Sequence, residues 1–317
     1  MKRTFFLVLF FILSLNYSFT ACKEESGYIP ELPSPEDGAF VLRRGDLIAC
    51  GDDQVLILKG EAADRNVVEY TWSWRASESK HELPAEYQTL LAALDDCKPV
   101  DDNTKLLVTS SSGATVLLDI ASKKVLFYAK TPMAHSADLL PNDRIAVASS
   151  THVLGNSLEI YDLGKIEQVI YKDSLYSGHG VVWDESSKQL LALGFDELRI
   201  YELVDWSSER PTLKLVKSYK LPDDGGHDLS KVDDSRFLVT THHGVWLFNH
   251  TDGGVFEPFA PLANRVNVKS ANYISDTAKL VYTIAEQSWW TFNIYGENPM
   301  FTLHIPSVKL YKVRVAP

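Results

Sequence analysis

The sequence predicts an all-β fold over residues 37–317, a six-bladed β-propeller of four-stranded blades with one short helical insertion. Three observations predict it. Helical periodicity nearly vanishes after residue 21, and alternating runs rich in Val, Leu, Ile, Tyr and Trp take its place between clusters of Gly, Asp, Asn and Ser. That is the pattern of short strands and turns. Six strand–turn–strand units can be aligned: "DLIACGDDQVLIL" from Asp46, "KLLVTSSSGATVLLD" from Lys105, "RIAVASSTHVLGNSLEIYD" from Arg144, "KQLLALGFDELRIYE" from Lys188, "RFLVTTHHGVWLF" from Arg236 and "KLVYTIAEQSWWTFN" from Lys279. They start 59, 39, 44, 48 and 43 residues apart, which is the length of a four-stranded propeller blade. A β-sandwich requires no such period.

Ahead of the first unit, "MKRTFFLVLFFILSLNYSFTAC" carries a basic start (Lys2, Arg3), an apolar run and small residues before Cys22. Residues 1–21 are expected to be a secretory signal peptide, too short for an ordinary membrane span. Residues 22–36 form a Pro- and acid-rich linker. The long first interval marks an insertion at residues 76–95, and "AEYQTLLAALDD" (85–96) after Pro84 reads as a short helix. The C-terminal "TLHIPSVKLYKVRV" is the candidate for the strand that completes the ring.

The chain has 31 Lys and Arg against 42 Asp and Glu. Removing residues 1–21 deletes two cations and no acid, so the mature charge is 29 − 42 = −13. Such a surface argues against nucleic acid and against electrostatic binding to anionic lipid. Cys50 and Cys97 can pair in an oxidising compartment or remain buried thiols. No Cys/His zinc spacing occurs.

Nine residues before the last five basic anchors stand Asp96, His135, His179, His227 and Ser270. In a propeller this position starts the innermost strand, at the mouth of the central channel. Turns between second and third strands emerge on the same face, and they carry Asp52, Asp53, His152, Asp196, Glu197, His242, His243, Glu286 and Gln287. Six of nine histidines therefore gather on one rim.

Four roles are open to this rim. Polar residues repeated in each blade can satisfy backbone groups between blades. As a ligand site, His135, His179 and His227 with His152, His242 and His243 would bind the hydroxyls and carboxylates of a glycan or sugar acid. Trp289 or Trp290 would then supply a stacking face, whereas Trp72 and Trp74 alternate onto one strand face and are expected between blades. As an enzyme, His135, His179 and His227 would hold a divalent metal for a lyase or lactonase, with His242 or His243 as acid or base. No HExxH or GxSxG signature supports catalysis. A protein-interaction scaffold would instead display an apolar patch.

"FTAC" resembles the lipobox of bacterial lipoproteins, with Phe19 where Leu is usual. That resemblance implies lipidation of Cys22 and membrane contact through acyl chains. Lys23 does not match the usual Asp retention signal, which implies a Gram-negative outer membrane, and Glu24–Glu25 looks like a surface-export tether. The segments "GDDQVLIL", "TWSWRA", "HSADLLPNDRIAVASS", "GHGVVWD" and "GGHDL" resemble an uncharacterised family of secreted bacterial β-propellers, many of them lipoproteins. The resemblance covers nearly the whole mature chain and implies fold and envelope location, with no activity attached. The repeat is more distantly similar to lactonase-like and quinoprotein-like propellers. The Glu, Asn and Asp metal set of the lactonase type is not recognisable here.

Overall fold

Short apolar runs bounded by turn residues become strands throughout. The computed structural model describes residues 40–317. The signal peptide, the lipidation site at Cys22 and the linker 22–36 lie outside the described residues. β1 (Leu47–Gly51), β2 (Gln54–Leu58) and β3 (Tyr70–Arg75) belong to the first blade. The second contains β4 (Leu94–Val100), β5 (Lys105–Ser110), β6 (Ala114–Asp119) and β7 (Val125–Lys130). The third contains β8 (Ala134–Leu140), β9 (Arg144–Ser149), β10 (Ser157–Asp162) and β11 (Val169–Ser174). β12 (Gly180–Asp184), β13 (Gln189–Leu193), β14 (Glu197–Val204) and β15 (Thr212–Lys220) make the fourth. The fifth has β16 (Asp228–Lys231), β17 (Arg236–Thr240), β18 (Val245–Asn249) and β19 (Val255–Pro258). The sixth has β20 (Val268–Ile274), β21 (Lys279–Ile284), β22 (Asn293–Glu297) and β23 (Phe301–His304). β24 (Leu310–Val315) returns to the first blade as its innermost strand, giving the order β24-β1-β2-β3. Six four-stranded antiparallel sheets result, with the first and last described strands joined inside one blade.

Burial explains the sequence pattern. β1, β2 and β9 are buried along their whole length, because inner strands are covered on both faces by neighbouring blades. Outer strands such as β11 and β15 are largely exposed. The hairpins joining first and second strands carry left-handed residues, among them Asp101, Asp102, Asn103, Asn142 and Asp143. Asn and Asp tolerate that conformation better than other side chains. Trp72 and Trp74 are buried between the first two blades, with indole N–H groups donating to Ile120 O (3.0 Å) and Ser79 Oγ (3.0 Å).

The insertion departs from expectation. Only Tyr87–Leu90 is α-helical, and a 3-10 turn occupies Ala76–Ser79. Leu94 already begins β4, where pairing with β5 outweighs a helix too short to stabilise its own nucleus. A second helical turn, Gly60–Ala63, stands between β2 and β3. Cys50 and Cys97 are free, buried thiols. Burial, and then the neighbouring Cys97, push the Cys50 thiol well above its ordinary pKa.

Candidate functional site

Register defines the channel lining. Asp96 pairs with Thr109, Ser136 with Ala148, Gly180 with Leu193, Asp228 with Thr240 and Ser270 with Thr283. One residue earlier in each blade stands Asp95, His135, His179, His227 or Lys269. Register shifts leave Asp95, His135 and Lys269 as bulged residues, and a matching shift in the first blade places Tyr311 and Lys312 opposite Cys50. A bulge inserts one unpaired residue and re-aims its side chain. The result is a ring with one member per blade: Asp95, His135, His179, His227, Lys269 and Tyr311.

The members touch in sequence. Asp95 Oδ1 is 3.7 Å from His135 Nε2, and the His135 and His179 ring centroids are 4.3 Å apart. The His179 and His227 rings are 5.5 Å apart, and Lys269 Nζ donates to His227 Nε2 at 2.8 Å. Tyr311 stands outside this succession, its ring 5.8 Å from that of His135. His135 and His179 bond through Nδ1 to the carbonyls of Met133 (2.9 Å) and Ser177 (2.8 Å), which leaves Nε2 of each ring without a hydrogen-bond partner among the described residues. His227 Nδ1 is buried without a partner.

Burial dominates the electrostatics. It drives the His179 pKa well below its ordinary value, helped by His135 and His227, and drives His227 to about 2, helped by Lys269. Burial and then Lys312 lower the Lys269 amine to about 8. Burial raises Asp95 and Tyr311. No carboxylate pairs with the Lys269 ammonium among the described residues.

Beneath the ring the channel is closed. Arg314 donates through Nε and Nη2 to Asp96 (2.7 Å each) and through Nη1 and Nη2 to Asp228 (2.9 and 2.7 Å). Lys312 lies 3.1 Å from Asp228 and donates to the carbonyls of His135 (3.2 Å) and His179 (2.9 Å). All four charged side chains are buried. Burial alone would raise the Asp96 carboxyl, but Arg314 and Lys312 hold it well below the usual range.

His242 and His243 lie in the bend between β17 and β18, so strand alternation does not separate them. The His242 ring is 4.9 Å from that of His227, extending the line of imidazoles to the rim. Its Nδ1 meets Asp224 at 3.2 Å, while His243 Nδ1 meets Asp223 at 3.1 Å. Gly225 has φ +69°, and a Cβ there would stand 2.3 Å from the His242 ring, so glycine is required twice over. His152 is exposed in the β9–β10 loop, with Nδ1 accepting from Leu154 N. Trp289 and Trp290 belong to a tight turn, where Ser288 has φ +63°, and not to a strand. Trp289 is 61% exposed, and Trp290 packs edge-on against Phe292. Among the described residues, three potential metal-binding side chains come mutually within 4.8 Å only at Asp223, Asp224 and His243. A metal held by His135, His179 and His227 fits poorly, because Lys269 occupies His227 Nε2.

Counting from the basic anchors missed Asp95, Lys269 and Tyr311. The ring residue lies ten residues before Lys105, Gln189 and Lys279 but nine before Arg144 and Arg236. The difference is one residue of hairpin: Asp101–Thr104 in the second blade against Pro141–Asp143 in the third. Tyr311 was hidden because its strand follows every anchor.

Solved structures share the architecture at low identity. A chain of the crystal structure of the nidogen/laminin complex is 14% identical with a TM-score of 0.56, over 86% of this chain and 98% of that one. A protein of unknown function from Bacteroides caccae is 12% identical with a TM-score of 0.56 and the same coverage. A chain of the mitotic checkpoint complex gives 11% and 0.53, over 76% of this chain and 69% of that one. These likenesses concern the fold alone. No curated protein matches the chain. The profile described as "Family of unknown function (DUF6528)" matches residues 5–316, and with nearly its whole length matched, this six-bladed propeller belongs to the DUF6528 family.

Proposed function

We propose that the ring binds a small glycan-derived acid, and that the protein presents this site from the outer membrane through a lipid on Cys22. The observation that carries the ligand assignment is Lys269, a buried amine bonded to the His227 imidazole and with no acid of its own among the described residues. A ligand carboxylate supplies the missing counter-charge, which is worth most where water is excluded. The free Nε2 atoms of His135 and His179 accept hydrogen bonds from hydroxyls, and exposed Trp289 on the same face offers a stacking surface. The sequence before Cys22 supports the anchor.

Titration calorimetry with galacturonate and glucuronate, against their neutral methyl esters, tests the site. Lys269→Met is expected to weaken uronate binding by roughly 10–100-fold, the worth of one hydrogen bond to a charged group. The ligand selects the protonated amine, so affinity should hold below pH 8 and fall about tenfold per pH unit above it. Esters binding as well as acids, or an unaffected Lys269→Met, would sink the assignment. For the anchor, Cys22→Ala is expected to shift the protein from the membrane fraction to the soluble one and to abolish palmitate labelling. Membrane retention without label would refute it.

A further inference from the structure

Inner-strand residues two positions after Asp96, Ser136, Gly180, Asp228, Ser270 and Lys312 face the opposite mouth of the channel, since strand side chains alternate. There Lys98, Asp138, Val182, Ser230, Asn272 and Arg314, again one per blade, line a cavity of about 640 Å³ together with Trp183, Leu229 and Lys231. This volume suits a small organic ligand. Its chemistry is opposite to that of the histidine ring, because every cation here already has an acid. Lys98 is 3.3 Å from Asp138, Lys231 is 2.8 Å from Asp184, and Arg314 is held by Asp96 and Asp228.

Hydrogen-bonding capacity nevertheless remains. Lys98 uses two of its three N–H groups, on Val181 O and Asp138, and Lys231 uses two, on Asp184 and Asp234. Asn272 commits its amide N–H groups to the carbonyls of Val313 (2.8 Å) and Val281 (3.4 Å), and its Oδ1 has no partner among the described residues. Ser230 donates to Ala271 O and keeps its acceptor lone pairs. Spare donors on Lys98 and Lys231 and spare acceptors on Ser230 and Asn272 thus surround an apolar floor of Val182 and Leu229, with the half-buried Trp183 indole at the side.

We propose that this second mouth is a separate binding site for a neutral, polyhydroxylated ligand, the end of a saccharide. Spare donors and acceptors beside cations that are already paired match hydroxyl groups, the exposed carboxylates of Asp102 and Glu185 in the lining disfavour an acid, and the apolar floor with Trp183 matches the C–H face of a sugar ring. The buried Arg314 quartet separates this ligand from anything bound at the histidine ring.

The test is a titration of isotope-labelled protein with neutral probes: glucose, galactose, N-acetylglucosamine and their β-linked disaccharides. Binding should move the Trp183 indole N–H resonance and leave the imidazole resonances of His135 and His179 in place. Trp183→Ala should weaken it at least tenfold, while Lys269→Met should leave it unchanged. The resonance shift keeps the test decisive should Trp183→Ala fail to fold. No binding by any probe, shifts confined to the histidine face, or equal affinity for uronates lost in Lys269→Met would each overturn the second site. Only that last result would at the same time support the acid site.

Discussion

Arg314→Met is expected to lower the unfolding free energy by roughly 3–5 kcal/mol, the cost of stranding buried charges. The substitution keeps most of the side-chain volume and deletes four hydrogen bonds of 2.7–2.9 Å to Asp96 and Asp228. Both carboxylates stay about 1% exposed, with Lys312 as their shared cation. Arg314 belongs to β24, the strand that closes the ring, while Asp96 and Asp228 belong to the second and fifth blades. The loss therefore falls on contacts that join the last strand to the neighbouring second blade and to the fifth. At about 2–4 °C per kcal/mol for a domain of this size, the melting temperature should drop by on the order of 10 °C. Denaturant unfolding would show a lower midpoint at unchanged slope. Neutralising all four groups (Asp96→Asn, Asp228→Asn, Lys312→Met, Arg314→Met) should recover part of the loss, because the penalty lies in unpaired charge. A single-variant loss below about 1 kcal/mol would remove the quartet from the account of closure.

The fold was legible because its unit repeats. Buried second strands such as "KLLVTS" and "RIAVAS" keep their pattern in every blade, since each packs against equivalent neighbours. The "VKLYKVRV" strand was identifiable because a ring with three strands at its start needs a fourth from its end. The site was legible only in part. His135, His179 and His227 share a ring as the repeat implied, and Lys269 and Asp95 belong to it as well. A one-residue difference in hairpin length hid them, and hydrophobic spacing does not report hairpin length. The bulge is equally silent in sequence: it makes Asp95, not Asp96, the neighbour of His135 and sends Asp96 down to Arg314. His152 shares the topological position of the rim residues, but its loop extends from Ser150 to Asn156 and holds the ring against its own backbone.

Acid is expected to destabilise the protein well before its carboxylates titrate. His179 and His227 are held neutral by burial, their pKa values driven down, His227 to about 2. In the unfolded chain the same imidazoles take up protons near pH 6.5. Below that value the unfolded state binds two more protons than the native one, so stability present above pH 6.5 is lost as pH falls. A group held neutral in this way contributes a slope of about 1.4 kcal/mol per pH unit, so His227 alone adds roughly 2 kcal/mol of loss at pH 5 and His179 acts in the same direction. Among the neighbours, Asp95 carries a raised pKa and acts with the opposite sign, while Lys269, lowered to about 8, adds a small loss of the same sign only at the upper edge of this window. Asp96, held low by Arg314, adds its own loss only below the unfolded carboxylate range. Denaturant unfolding between pH 7.5 and 5 in the parent and in His179→Asn with His227→Asn measures the effect. The double variant is expected to lose most of the slope, whatever its stability at pH 7.5. A parent whose stability is flat across that interval would mean that the two rings accept protons in the folded state, and the neutral floor assigned to the ligand site would be lost with it.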